Sequence, residues 1–223
     1  MRVLVTGSEG NVGKAVVGEL TAFGHSVVGY DIKLGDDIHD RLNLLSKMEG
    51  CDVVVHLAAI PGPEHLRYRR YFDTNVAGTL TCANVSKYAG VKRFILSSST
   101  GYYGLESSIG RSLPIGDETS LSVLEFAEPS ESYVLEQVFY GASKVCCENV
   151  ISPFGLTKQM QIVILRFAPM PSFYGLSLSH EKAAEAVRLA AEYPGELWLE
   201  KFNICSSPGL DCEKAKKVLG WMP

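Results

Sequence analysis

Short apolar runs alternate with longer stretches of helical periodicity through the first half of the chain. Apolar residues recur at helical spacing at Val12, Val16 and Leu20, and again over residues 76–88. The apolar runs of strand length cover residues 3–5, 26–30, 52–57 and 93–97. Strands that are apolar throughout and alternate with helices indicate a parallel sheet covered on both faces. Because crossovers between parallel strands are right-handed, the pattern predicts an α/β fold with a doubly wound parallel sheet.

The pattern changes after residue 100. Between residues 101 and 132 the periodicity fails and Gly, Ser, Pro and Glu accumulate, which predicts a long loop over the top of the sheet. The elements predicted beyond this loop are a helix that carries Tyr140 and ends near residue 151, a strand at residues 161–166, a helix at about 180–192, a short strand near Phe202 and a last helix from about residue 211. After Arg166, therefore, only short elements fit.

Composition narrows the class of protein. Of the 223 residues, 46% are hydrophobic and 21% charged, as in a globular protein with a core. The net charge of -4 leaves no basic surplus for phosphates, which argues against nucleic acid as the main partner. No apolar run is long enough to span a membrane, and the N-terminus leads into a strand pattern rather than a signal peptide. The six cysteines show no metal-ligand spacing, so we expect no metal site and a reducing, cytoplasmic location.

Three glycines separate the first predicted strand from the first helix, in the run Thr6-Gly7-Ser8-Glu9-Gly10-Asn11-Val12-Gly13. Glycines permit a tight turn and let a pyrophosphate approach the backbone, and the helix N-terminus attracts its charge. Asp31 closes the second strand, where a carboxylate can accept from both ribose hydroxyls and repel a 2′-phosphate. The sequence therefore predicts a Rossmann-type dinucleotide site that favours NAD over NADP, although the nearby Lys33 weakens that preference.

Tyr140 and Lys144 are four residues apart in a predicted helix and therefore share one face. A phenol, whose ordinary pKa is near 10, is a poor base at neutral pH. A neighbouring ammonium stabilises the phenolate, which allows a tyrosine to accept or return a hydroxyl proton. Ser97, Ser98 and Ser99 end the fourth predicted strand, where a hydroxyl could orient a substrate oxygen. These residues predict a catalytic site at the end of that strand.

Taken in their order along the chain, the glycine loop, Asp31, the three serines and the Tyr140/Lys144 pair resemble the extended short-chain dehydrogenase/reductases of the NAD-dependent epimerase/dehydratase type. This family contains nucleotide-sugar epimerases, dehydratases and sugar dehydrogenases. The resemblance covers nearly the whole chain. Its further matches are Asp37-Ile38, His56-Leu57-Ala58-Ala59, Asn75-Val76-x-Gly78-Thr79, Tyr103-Gly104, Pro114-Ile115-x-Asp117-Glu118, Leu165-Arg166 and residues 214–223.

The resemblance implies a role for each catalytic residue. Tyr140 would be the acid/base, Lys144 would hold the nicotinamide ribose and lower the tyrosine pKa, and Ser99 would bind the reacting hydroxyl or carbonyl. Hydride would pass between the substrate carbon and NAD. The candidate substrate contacts are Ser99, Thr100, Arg166, whose guanidinium fork suits a carboxylate, and His180. The residues implied for cofactor binding are Gly7, Gly10, Asn11, Val12, Gly13, Asp31, Asp37, Ile38, Leu57, Ala58, Ala59, Asn75, Ser97, Tyr140 and Lys144.

The resemblance also implies an organisation for the whole chain. Residues 1–165 would form the NAD-binding domain, including the Tyr140 helix, and residues 166–223 a small, shortened substrate-binding region. A homodimer formed through the helices that flank the sheet is typical of the family.

Two departures from the family pattern narrow the function. Dehydratases carry an acidic pair just after the catalytic hydroxyl, where this chain has Thr100 and Gly101, so elimination of water is not expected. Most of the segment that grips a nucleotide diphosphate is missing between Arg166 and His180, so little protein is left to bind such a handle. A small substrate is favoured, and the compact layout resembles uronate dehydrogenases.

Three hypotheses follow. The leading one is an NAD-dependent oxidoreductase that acts on a secondary hydroxyl of a small sugar, sugar acid or polyol. The alternative within the same chemistry is a nucleotide-sugar 4-epimerase that keeps its NAD bound. A non-catalytic NAD(H)-binding sensor is the alternative from another class. The shortened C-terminal region motivates the sensor, and the retention of Ser99, Tyr140 and Lys144 speaks against it.

Overall fold

The computed structural model describes residues 1–62, 68–104, 117–126, 135–170, 172 and 175–223. Most of the loop predicted over residues 101–132 lies outside the described residues, as does the Pro114-Ile115 pair.

A six-stranded sheet forms the centre of the molecule. Its strands are β1 (Arg2–Thr6), β2 (Ser26–Tyr30), β3 (Val53–His56), β4 (Arg93–Ser99), β5 (Gln161–Phe167) and β6 (Leu199–Ile204). Their order is β2-β1-β3-β4-β5-β6, and all five pairings are parallel. The strand order reverses at β1, which places a crevice at the carboxyl ends of β1 and β3. The predicted doubly wound α/β sheet is confirmed.

Helices cover both faces of this sheet. They are α1 (Asn11–Ala22), α2 (Arg41–Met48), α3 (Tyr68–Arg70), α4 (Gly78–Tyr88), α5 (Val123–Phe126), α6 (Leu135–Leu156), α7 (His180–Glu192) and α8 (Glu213–Leu219), with a π-helical segment (Tyr71–Ala77) before α4. Helices α1 and α7 pack on one face with Val3 and Val5 of β1. Helices α2, α4 and α6 pack on the other face with Leu4. Because alternate side chains of a strand point to opposite faces, burial of both faces explains the uninterrupted apolar runs.

The sequence pattern missed α2 and underestimated α6. Only Leu44 and Met48 of α2 are buried, whereas Leu42 is 81% exposed, so the helix lacks a clear apolar stripe. Its start is fixed by Asp40, whose side chain accepts a hydrogen bond from the Asn43 backbone N–H (3.0 Å). Helix α6 runs to Leu156, beyond the predicted end near residue 151.

The C-terminal region completes the central sheet. The predicted division after residue 165 falls inside β5, β6 pairs along β5, and α7 packs against α1. Trp221 is fully buried and donates from Nε1 to the Lys182 carbonyl (3.0 Å), which ties the chain end to α7. Residues 166–223 are therefore structurally part of the Rossmann-type unit, and their role in substrate binding stays a prediction. No helix in the described part of the chain is long and apolar enough to cross a membrane.

Candidate active site

A cleft of about 970 Å³ opens at the carboxyl ends of the central strands. One end lies beside the residues that follow β2, and the other end reaches Tyr140 and Lys144 on α6. Fourteen of the fifteen residues predicted to bind the cofactor line it, namely Gly7, Gly10, Asn11, Val12, Gly13, Asp31, Asp37, Ile38, Leu57, Ala58, Ala59, Ser97, Tyr140 and Lys144. Their roles remain predictions, but the fold brings them to one surface.

The glycine loop packs so closely that side chains would not fit. Gly7 has a positive φ of 69°, and a Cβ there would lie 2.8 Å from the Ala58 backbone nitrogen. A Cβ on Gly13 would collide with the Gly7 carbonyl oxygen. These close approaches place the start of α1 directly at the cleft.

In the part of the chain that the structure describes, no acidic side chain caps the N-terminus of α1. Gly10 at the N-cap provides no side-chain hydrogen bond, and the first turn contains no acidic residue. The first N–H groups of a helix lack intrahelical acceptors and carry a partial positive charge. This end of the cleft therefore fits a pyrophosphate.

Asp31 links the glycine loop to the turn after β2. Its Oδ2 accepts from the Glu9 backbone N–H (2.9 Å) and its Oδ1 accepts from the Lys33 N–H (2.9 Å). Each carboxylate oxygen retains a further lone pair for a ribose hydroxyl. The Lys33 ammonium donates to the Glu9 carbonyl oxygen (3.1 Å), so in this structure it is bonded to the loop backbone.

Tyr140 and Lys144 lie on the face of α6 that packs against the end of β4. The Lys144 ammonium donates to the Ser97 carbonyl oxygen (3.1 Å) and lies 5.7 Å from the centre of the Tyr140 ring. Ser99 accepts through Oγ from the Gly101 N–H (3.1 Å) in the turn Thr100–Tyr103. A Cβ on Gly141 would collide with the Gly101 carbonyl oxygen, so this glycine lets α6 approach that turn.

His56 lies beneath the cleft and is neutral. Its Nδ1 is 2.8 Å from Thr6 Oγ1 and its Nε2 is 3.0 Å from Thr79 Oγ1, so both ring nitrogens have partners. Burial, aided by the positive charge of Lys144, lowers the pKa of His56 from 6.5 to about 3. The ring therefore joins β3 to its neighbours, and a pKa this low makes it a weak base at neutral pH.

Three predicted contacts require correction. Asn75 does not line the cleft; it is buried, and its Oδ1 accepts from the Ile60 N–H (2.8 Å), so it holds the segment after β3. Thr100 is fully buried away from the cleft. Arg166 is also fully buried, and its guanidinium is bonded to Glu148, which leaves no surface for a substrate carboxylate.

Four further residues line the cleft near its catalytic end, and only one of them was predicted. His180, the first residue of α7, is half-buried and lines the cleft, and its contact with substrate stays a prediction. Arg70, Thr74 and Gln137 also line the cleft and were missed. Gln137 precedes Tyr140 by three residues, a helical spacing that could have revealed it. Arg70 and Thr74 flank or occupy the π-helical segment, whose irregular spacing gives no sequence signal.

The described residues contain no group of three or more His, Cys, Asp or Glu side chains that could hold a metal ion.

Comparison with known proteins agrees with this geometry. A UDP-glucose 4-epimerase of Rhizobium meliloti (strain 1021) is 29% identical over 210 residues, which cover 85% of this chain and 59% of the epimerase. An L-arabinose 1-dehydrogenase (NAD(P)(+)) of Haloferax volcanii is 26% identical over 230 residues, which cover 97% of this chain and 81% of the dehydrogenase. The chain thus spans less than two thirds of the epimerase's length.

Solved structures share the fold. MoeE5 in complex with UDP-glucuronic acid and NAD superposes with a TM-score of 0.79 at 21% identity, covering 100% of this chain and 93% of MoeE5. A mutated uronate dehydrogenase superposes with a TM-score of 0.75 at 20% identity, covering 100% of this chain and 81% of the dehydrogenase. The sequence matches the family described as the NAD dependent epimerase/dehydratase family over residues 3–192. The resemblance seen in the motifs is confirmed, and the chain belongs to the NAD-dependent epimerase/dehydratase family.

Proposed function

We propose that the protein is an NAD-dependent oxidoreductase that transfers hydride between NAD and a secondary hydroxyl of a small sugar, sugar acid or polyol. One observation carries the proposal. A single cleft has the glycine loop and Asp31 at one end and Ser99, Tyr140 and Lys144 at the other. A dinucleotide site and a proton-transfer group are thus combined as this chemistry requires.

The residues present fit the cofactor. The N-terminus of α1 would take the pyrophosphate, Asp31 the adenosine ribose, and Asp37 and Ile38 the adenine. Lys144 would hold the nicotinamide ribose. When bound, NAD supplies the hydride acceptor or donor.

The chain's own residues would transfer the proton of the substrate hydroxyl. Ser99 would orient the substrate oxygen by a hydrogen bond, and the Tyr140 oxygen would take the hydroxyl proton during oxidation or return it during reduction. The Lys144 ammonium would favour the ionised form of the tyrosine because opposite charges attract.

A small substrate with several hydroxyls fits the catalytic end. Gln137 Oε1 is buried and has no hydrogen-bond partner among the described residues, so it can accept from a substrate hydroxyl. The similarity to an L-arabinose 1-dehydrogenase, of which the chain covers 81%, supports a free sugar more than the epimerase similarity supports a nucleotide sugar.

The first test is NADH formation from NAD, followed by absorbance, against a panel of sugars, sugar acids and polyols. Tyr140→Phe should abolish turnover and leave NAD affinity by calorimetry nearly unchanged, because only the hydroxyl is removed. Tyr88→Phe on the far end of α4, where Tyr88 is 81% exposed, is the matched control. Equal loss of turnover and NAD affinity in Tyr140→Phe would show that the residue supports the fold instead.

The epimerase is the second candidate, favoured by the similarity to several UDP-glucose 4-epimerases. It predicts that NAD copurifies with the protein and that a sugar nucleotide isomerises without net NADH. Binding of NAD with no turnover of any kind, in the wild-type protein, would instead favour the sensor.

We also infer a cytoplasmic homodimer. All six cysteines are free, which suits a reducing compartment. Helices α4 and α6 lie side by side and expose Leu80 and Leu156, apolar side chains that a second copy could bury. Light scattering at micromolar concentration should give the mass of a dimer, and a monomer mass would exclude it.

A further inference from the structure

Helix α6 carries a third buried residue in line with its catalytic pair. Tyr140, Lys144 and Glu148 follow one another at four-residue intervals and therefore share one face of the helix. Glu148 is fully buried, and nothing in the proposed proton transfer uses it.

Glu148 is bonded to the strand that carries the catalytic serine. Ser98, next to Ser99 on β4, donates from Oγ to Glu148 Oε1 (2.7 Å). One turn earlier, Lys144 donates to the carbonyl oxygen of Ser97 (3.1 Å). Two consecutive turns of α6 are thus hydrogen-bonded to two consecutive residues of β4.

Arg166 on β5 closes the arrangement from the other side. Its Nε donates to Glu148 Oε1 (2.9 Å) and its Nη2 donates to Oε2 (2.8 Å). The two residues thus form a bidentate ion pair, and both side chains are fully buried. The Lys201 ammonium lies 3.6 Å from Oε2. Burial lowers the pKa of Arg166, but the Glu148 carboxylate outweighs burial and raises it, so the guanidinium stays charged.

Arg166 also fixes the turn that follows Ser99. Its guanidinium carbon lies 3.5 Å from the centre of the Tyr102 ring, and its first terminal nitrogen donates to Tyr103 Oη (2.6 Å). Burial raises the pKa of Tyr103 to about 12 despite the neighbouring Arg166, so the phenol keeps its proton and donates to Asn203 Oδ1 (2.8 Å). The turn and the β6 edge are thereby joined to the same ion pair.

Simple stability does not account for such an arrangement. Desolvation of a buried ion pair offsets most of its attraction, and apolar side chains of similar volume often stabilise a core as well. Hydrogen bonds, however, are directional, so they fix the distance and the angle between the groups that they join. The contacts therefore matter for where α6 sits relative to β4.

We propose that Ser98, Glu148 and Arg166 form a positioning network that sets the placement of Tyr140 and Lys144 relative to Ser99. The inference rests on the proposed function, because it assigns these residues to the same reaction. None of the three transfers a proton; they act through the catalytic side chains.

The sharpest test removes only the bond between strand and helix. Ser98→Ala deletes the hydroxyl and leaves the Glu148–Arg166 pair intact. We expect kcat to fall about tenfold or more, because small misplacements of reacting groups are costly. The dissociation constant for NAD should rise by much less, because Lys144 keeps its own bond to the Ser97 carbonyl oxygen. Ser86→Ala is the matched control, since Ser86 is a fully buried serine whose Oγ donates to the Cys82 carbonyl (2.7 Å) within α4.

Ser98→Thr serves as the conservative variant because it keeps the hydroxyl donor, and its kcat should stay within about threefold of wild type. Melting temperatures of all variants, measured alongside, should show Ser98→Ala and Ser86→Ala losing similar stability. Equal kcat values for these two variants would overturn the network, as would parallel losses of kcat and NAD affinity in Ser98→Ala.

The two proposals fail in different ways. If the wild-type protein turns over no substrate, the proposed function fails before any variant is compared. If the wild type turns over and Ser98→Ala does so equally well, only the positioning network fails.

Discussion

At the scale of single residues, the buried imidazole of His56 shows that burial, rather than the local sequence, sets the ionisation of a side chain. His56 belongs to the family-like run His56-Leu57-Ala58-Ala59, yet the structure gives it two threonine partners and buries it almost completely. Because its pKa is about 3, this ring lowers the stability of the folded state in acid. The unfolded chain binds a proton at this ring below about pH 6.5, whereas the folded chain does not until near pH 3.

We predict that this difference contributes to acid denaturation. Folding stability should fall as the pH drops below about 6.5, by about 1.4 kcal/mol per pH unit from this group once the unfolded ring is protonated. His56→Gln should flatten the fall in unfolding free energy measured by urea titration between the two pKa values. His39→Gln, at an exposed histidine, should leave the slope unchanged, and identical slopes in all three proteins would refute the assignment.

At the scale of elements, the start of α1 is placed by the glycines before and within it. Gly13 is helical and needs no unusual backbone angles, so its value lies in close approach rather than in conformational freedom. A side chain there would push the helix away from the Gly7 carbonyl and move its N–H groups out of the cleft.

Gly13→Ala should therefore weaken NAD binding by about tenfold or more, equivalent to at least about 1.4 kcal/mol, in calorimetric titration. Gly18→Ala provides the control on the same helix, because a Cβ at Gly18 meets nothing within 4 Å. Alanine at Gly18 should leave NAD affinity intact and raise the melting temperature slightly, since alanine favours helix. Equal affinities in the two variants would contradict the packing argument.

At the scale of the whole molecule, the chain end and the nucleotide-binding half are one core. Trp221 is buried among side chains that also pack against β1, α1 and α7. Its removal should therefore be felt by the entire fold rather than by a separate C-terminal lobe.

Trp221→Ala should lower the unfolding free energy by about 3–5 kcal/mol within a single cooperative transition. Trp198→Ala should cost less, because Trp198 is only half-buried and its Nε1 bonds to the exposed Glu196 (2.8 Å). Two separate transitions, with the first half of the chain melting as in wild type, would contradict a single core and would show that residues 166–223 unfold separately.

The sequence by itself determined the features that depend on near neighbours in the chain. Periodicity of apolar residues indicated the parallel sheet, and the spacing of glycines indicated the dinucleotide loop. The four-residue interval between Tyr140 and Lys144 indicated a shared helix face. Each of these signals is local, because helix pitch, strand alternation and turn geometry act over a few residues.

Only the tertiary structure decided which distant groups meet. Arg166 looked like a substrate ligand in sequence, but its partner Glu148 lies on another element, and burial of both groups makes that pairing obligatory. Asn75 likewise bonds to Ile60 rather than lining the cleft. Helix α2 is stabilised because Leu44 and Met48 pack against the sheet, although its own apolar periodicity is weak. Partner choice and burial arise from the packing of elements, so no window along the chain could reveal them.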